Sequence, residues 1–135
     1  MIIKVTPNKE KAKSMLLLAE QKENFANTID IIKYSTNAAE NYYDVIRELA
    51  SALLLLDGKK AMGEYAHKET IDEFADYKEF ADDEISLIDD LRIKRNNSSY
   101  EGKPVDIVYV ENKKQKWISV IQKMKNIIRK KLESR

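Results

Sequence analysis

The stretch ADDEISLIDDLRIKRNNSSYEG, Ala81 to Gly102, decides how the rest of the chain is read. It opens like a helix, with Asp82, Asp83 and Glu84 where the positive end of a helix dipole favours carboxylates. Ile85 and Ile88 share one face, and that face continues through Arg92, Arg95 and Ser99. An apolar stripe that turns into arginine, asparagine and serine does not pack a core. Such groups cost free energy to bury unless they are paired or wetted. The end of this helix therefore reads as the functional face, and the remainder as the scaffold that presents it.

The scaffold is bounded by simple counts. At 135 residues the chain reads as one helical domain over residues 1–135, with its core from about residue 7 to about residue 132. A chain of this length buries roughly two thirds of its unfolded surface, enough for a core without disulfides or metal. There is no cysteine, hence no disulfide framework and no thiolate chemistry. Charged residues make up 35% of the chain, yet the net charge is only +1, so no bulk field draws DNA, RNA or a membrane. An anion site must be local, and DNA is not an expected partner. Met1 to Val5 is too short and too charged for a signal sequence, and the longest apolar run is Leu53 to Leu56. The expectation is a cytoplasmic protein without a membrane segment. Three glycines and two prolines leave few breaks, which favours long helices.

Working outward in both directions, the spacing predicts helices almost throughout. Thr6 as cap and Pro7 at the first helical position start a helix that runs to about Tyr34, with Met15, Leu18, Phe25, Ile29 and Ile32 as its stripe. Ser35, Thr36 and Asn37 read as a break, with Asn37 and Glu40 as a capping box or with Ser35 or Thr36 as the cap. A second helix then runs to about Asp57 and stops at Gly58. Its later half is apolar nearly all round, so it should be the most buried element. Its polar side is Glu40, Asp44, Arg47, Glu48 and Ser51. Gly58 to Gly63 reads as a connector, and Glu64 to about Lys78 as a shorter helix. Val105 to Val110 is β-branched and reads as a short strand or as a lead into the last helix, with Ile2 to Val5 as its one available partner. The last helix spans about Val110 to Leu132 on a stripe of Trp117, Val120, Ile121, Met124, Ile127 and Ile128. The predicted fold is all-α: an antiparallel up-and-down four-helix bundle with one additional short helix.

The unusual constellation is Arg92-Ile93-Lys94-Arg95-Asn96-Asn97-Ser98-Ser99-Tyr100. Guanidinium forks match phosphate geometry, so Arg92 and Arg95 are suited to grip a nucleic-acid or nucleotide backbone. Asn96 and Tyr100 are four residues apart and share the adjacent face. Asp44, on the polar side of the second helix, is the expected neighbour of this motif. No glycine-rich phosphate loop, Cys/His cluster or nucleophile elbow is present in the sequence. The acidic residues Asp82, Asp83, Glu84, Asp89 and Asp90 fit a solvated face and helix-start charges better than a metal site, and no cofactor is expected. His67, the sole histidine, reads as an ordinary surface side chain away from the motif.

On these residues the chain resembles the HEPN family, small helical bundles whose penultimate long helix carries an arginine, a polar residue and then a histidine. Arg95-Asn96-x-x-x-Tyr100 matches that frame with tyrosine in the histidine's place. The helix order agrees, through Asn41-Tyr42-Tyr43-Asp44-Val45-Ile46 and Leu53-Leu54-Leu55-Leu56-Asp57-Gly58. The resemblance spans about Asn8 to Lys131. It implies a homodimer whose two motifs line one cleft. It also implies RNA or nucleotide binding, and in many members a metal-independent ribonuclease of toxin–antitoxin type paired with a small nucleotidyltransferase. Arg95 then corresponds to the phosphate-binding arginine, Asn96 to its polar partner and Tyr100 to the catalytic histidine. That last exchange weakens the chemistry. Histidine takes and returns a proton near neutrality, whereas a phenol with an ordinary pKa of about 10 does so poorly. The competing expectations are structural. Arg95 would pair with Asp44 or Glu48, Tyr100 would pack at the helix end, and the domain would be a catalytically silent interaction module.

Overall fold

A computed structural model describes residues 1–134. The chain is mostly helical, as the spacing predicts, with one small sheet added. In order it forms β1 (Ile2–Lys4), α1 (Lys9–Ala26), α2 (Ser35–Leu56), β2 (Lys59–Ala61), α3 (Ala66–Phe74), α4 (Asp82–Glu101) and α5 (Ile107–Glu133).

The second helix is the centre of the molecule. Tyr42, Tyr43, Val45, Ile46, Leu49, Ala50, Ala52, Leu53 and Leu54 are all buried, so more than half of the circumference of α2 is buried apolar surface. It packs against α1, α3, α4, α5 and β2. Trp117 of α5 is fully buried beside Tyr42, with ring centroids 5.7 Å apart. The helix ends as expected at Gly58, whose φ of +72° is left-handed. The same glycine serves the sheet. Its carbonyl accepts the Val5 N–H at 2.9 Å, and a Cβ there would sit 2.9 Å from the Val5 carbonyl oxygen. The ladder runs antiparallel from there, pairing Lys4 with Lys59, Ile3 with Lys60 and Ile2 with Ala61.

Several expectations are corrected. The partner of the N-terminal strand is β2, in the predicted connector, and not Val105 to Val110. The Val105 backbone is held by side chains of the first turn of α2 instead: Ser35 Oγ donates to its carbonyl at 2.7 Å, and its N–H donates to Thr36 Oγ1 at 2.9 Å. Ser35 and Thr36 are therefore inside α2 and act as clamps on the α4–α5 loop, not as caps. The cap of α1 is Asn8, whose Oδ1 accepts the Lys11 N–H at 3.0 Å, and not Thr6. That helix stops at Ala26, well before Tyr34. Thr28 Oγ1 donates to the Phe25 carbonyl and Asp30 Oδ1 accepts the Ile32 N–H, so both side chains compete with helix continuation.

The buried face of α1 also differs from the predicted stripe. Ala12, Leu16, Ala19, Glu23 and Ala26 face inward, while Leu18, Phe25 and Ile32 are exposed. Alanines on the inner face let the α1 backbone approach α2 closely, and the larger side chains are turned away. This inner face carries a charge. Glu23 Oε1 accepts from Lys125 Nζ of α5 at 2.6 Å, and both residues are buried. Lys22, beside it, reaches Glu48 of α2 at 2.5 Å.

Breaking a buried pair by removing one partner leaves an uncompensated charge. Lys125→Met is expected to destabilise the protein by about 3–5 kcal/mol in denaturant unfolding. The double variant Glu23→Leu, Lys125→Met is expected to recover most of that loss.

Candidate functional site

The first half of α4 is built for packing. Glu84 accepts the Ala81 N–H at 2.9 Å and also meets Lys123 Nζ of α5 at 2.7 Å, which fixes the start of the helix against α5. Ile88 and Leu91 are fully buried. Beyond Leu91 the inward direction is taken by Arg92, Arg95 and Ser98, all half-buried, and α4 runs on to Glu101 before Gly102 ends it at φ +69°. Ser98 Oγ lies 3.3 Å from Glu40 Oε1, so the polar side of α2 does face the motif as expected.

The three cations of the motif separate. Arg92, Asn96 and Tyr100, one per turn, form one wall of an open groove of about 240 Å³. Its opposite wall is the segment Gly63–Lys68 that leads from β2 into α3. Arg92 is nearly covered, its side chain 13% exposed, and its Nε meets Asp89 Oδ1 one turn back at 2.9 Å. Lys94 points to the other side of α4, with Nζ 5.2 Å from the centre of the Tyr109 ring. Arg95 is directed to α2, its guanidinium 5.6 Å above the Tyr43 ring.

Among the described residues Arg95 makes no ion pair. Glu48 is taken by Lys22, and the nearest cation to Asp44 is Arg47, at 3.9 Å. The expectation that Asp44 or Glu48 would neutralise Arg95 is therefore not met. Asp44 does not contact Arg92 or Arg95 as an ion pair either, but it stands in the same field and acts on Tyr43 and His67. The packed role considered for Tyr100 also fails, because that side chain is 77% exposed at the mouth of the groove.

Sequence reasoning missed Tyr43 and His67 as participants, whereas Arg47 belongs to the polar side of α2 that it placed beside the motif. Tyr43 is fully buried, and its Oη has no hydrogen-bond partner among the described residues. Burial pushes its phenol pKa up, against the pull of Arg47, Arg95 and Arg92. Arg47 adds a third guanidinium from α2, its Nε likewise buried without a hydrogen-bond acceptor. His67 lines the groove beside Lys68, its ring 6.5 Å from that of Tyr43. Nothing in the spacing links His67 to α4, since the β2–α3 connection brings it there.

Of the three guanidinium groups Arg92 alone lines the groove, with Lys68 and Glu64 on the facing wall, while Arg95 and Arg47 stand beside Tyr43 next to it. The groove carries an amide, a phenol and an imidazole within the same small space. Such a set can hold an anion through charge-assisted hydrogen bonds and can exchange a proton with what it holds. Among the described residues, no three or more His, Asp or Glu side chains are grouped to hold a metal ion. No helix of the described residues is long and apolar enough to cross a membrane.

Burial first, then Arg47 and Arg95, depress the pKa of His67 below its ordinary 6.5, with Asp44 opposing them. The sole histidine gives a single imidazole signal, so its titration by NMR is expected to fall below 6.5. Arg95→Ala and Arg47→Ala are each expected to move it upward. The unfolded chain binds the extra proton first, so this contribution is complete above pH 6.5 and is lost as pH falls toward the depressed value.

No family model matches the chain, and neither curated proteins nor solved structures give a match.

Proposed function

We propose that the chain is a HEPN-like helical domain, an up-and-down four-helix bundle with an additional short helix, that binds RNA or a nucleotide in the groove beside α4. In this reading it acts in the cytoplasm as a homodimer, in toxin–antitoxin fashion with a nucleotidyltransferase as partner protein. The observation that carries the reading is the groove wall of Arg92, Asn96 and Tyr100 next to an Arg95 that makes no ion pair among the described residues. A guanidinium half-buried against an aromatic face and free of carboxylates is suited to a phosphate. For a ribonucleotide the same grip serves metal-independent cleavage. The 2′-hydroxyl attacks the adjacent phosphate, and Arg95 balances the charge that develops on it.

The second reading is a catalytically silent interaction module. Phe25, Ile32 and Tyr34 favour it, being exposed at the turn between α1 and α2. A surface of that kind suits a protein partner better than a phosphate.

With a net charge of only +1, binding depends on a few local contacts and not on a long-range field. Fluorescence anisotropy with a short single-stranded RNA is therefore expected to show a shallow salt dependence, with Arg95→Ala weakening binding about tenfold and lowering the slope by roughly 0.7. A native protein that binds neither RNA nor nucleotide, yet loses a co-purifying protein partner on Phe25→Ser, would establish the second reading.

A further inference from the structure

We propose that His67, on α3 and outside the arginine motif, is the proton acceptor of the groove and takes the 2′-hydroxyl proton of a bound ribonucleotide. The inference rests on the groove being a ribonucleotide site, and it names the base that Tyr100 supplies poorly.

The imidazole is exposed and stands on the wall opposite Arg92, Asn96 and Tyr100. His67 and the Arg95 guanidinium approach the same Tyr43 ring, at 6.5 Å and 5.6 Å. A phosphate held at Arg92 on one wall leaves its sugar to face the other wall, where the imidazole stands.

Asp44 and Arg47 face His67 from α2, Arg92 and Arg95 from α4, and Glu64 and Lys68 flank it on its own segment. Burial and the arginines keep the ring neutral at physiological pH, which is the form that accepts a proton. Once protonated, the same arginines favour its return to the free base. Carboxylates are weaker bases near neutrality than imidazole, and a phenol must first lose its own proton to act as one. His67 is the groove side chain that both takes and returns a proton there.

The step balances without a metal or a redox partner. His67 takes the 2′-hydroxyl proton as O2′ forms its bond to phosphorus. The bond from phosphorus to O5′ breaks, and O5′ takes the proton of the Tyr100 hydroxyl across the groove. The products are a 2′,3′-cyclic phosphate and a 5′-hydroxyl end. Imidazolium and phenolate then recover their starting forms by proton exchange with water.

The test uses the full chain and a short fluorescent single-stranded RNA, with binding read by anisotropy and cleavage by single-turnover gel analysis. His67→Gln is expected to slow cleavage by about 10²–10⁴-fold while binding changes less than about threefold. Its fold is checked by circular dichroism. On the native protein alone, the acid limb of the pH–rate profile is expected to coincide with the NMR titration of the histidine. Arg47→Ala is expected to move both upward together, a shift that a structural role for His67 would not produce. Cleavage by His67→Gln at the native rate overturns the assignment, as does an acid limb that ignores the histidine titration. Native protein that binds the RNA but leaves it whole overturns the role of His67 and spares the binding site. Native protein that neither binds nor cuts removes both.

Discussion

A helix with buried apolar side chains over more than half of its circumference cannot remain at a surface, and α2 forces the arrangement of everything else. Each fully buried Leu, Ile or Val on it is worth about 1.5–3 kcal/mol. That gain is available only if other elements cover this surface. α1, α3, α4, α5 and β2 all do so. The covering elements inherit a second obligation, because Glu40, Asp44, Arg47, Glu48 and Ser51 on α2 are half-buried as well. Lys22 from α1 meets Glu48, and Ser98 from α4 meets Glu40. The polar contacts of α2 thus set the rotation of its neighbours, while its apolar ones bring them close.

The face of α1 shows how such closeness is achieved and why it escapes a reading by hydropathy. Alanine weighs little in an apolar stripe, so Leu18, Phe25 and Ile32 appeared to define the inner face. Against a helix as crowded as α2, small side chains are what permit contact, and Ala12, Ala19 and Ala26 are fully buried. The pair Glu23–Lys125 lies on the same inner face and ties α1 to α5 across the molecule. A carboxylate on an apolar face carries no sign in the sequence of a partner so far along the chain.

The rest of the fold was legible in proportion to the length of its pattern. The burial of α2, the extent of α4 and the stripe of α5 rest on many periodic positions, and the structure has them all. The strand β2, Lys59-Lys60-Ala61, has no alternation to detect and exists because Gly58 turns the chain back onto Val5. Val105 to Val110 has the right composition for a strand, but clamping by Ser35 and Thr36 satisfies Val105 and lets α5 begin at Ile107. The motif on α4 was legible for the opposite reason, since polar groups replace a core stripe within one helix. His67 was not, because its approach to α4 is made by a turn between β2 and α3 and by no periodicity.

The charges beside the groove are unevenly compensated. Arg92 has Asp89 and Arg47 has Asp44 nearby, while Arg95, among the described residues, has the face of Tyr43 and no ion pair. A cation over an aromatic ring gains about 0.5–2 kcal/mol, the more so the less water reaches it. The hydroxyl of Tyr43 works against this gain, since a buried donor without an acceptor costs about 1–3 kcal/mol. Packing alone would be served better by phenylalanine at that position. An anion lying between α2 and α4 reverses the account. It gives the guanidinium groups their missing counter-charge and brings an acceptor toward the Tyr43 hydroxyl. On the proposed function, the costs that the free protein carries at Tyr43, Arg47 and Arg95 are those of a site arranged for negative charge.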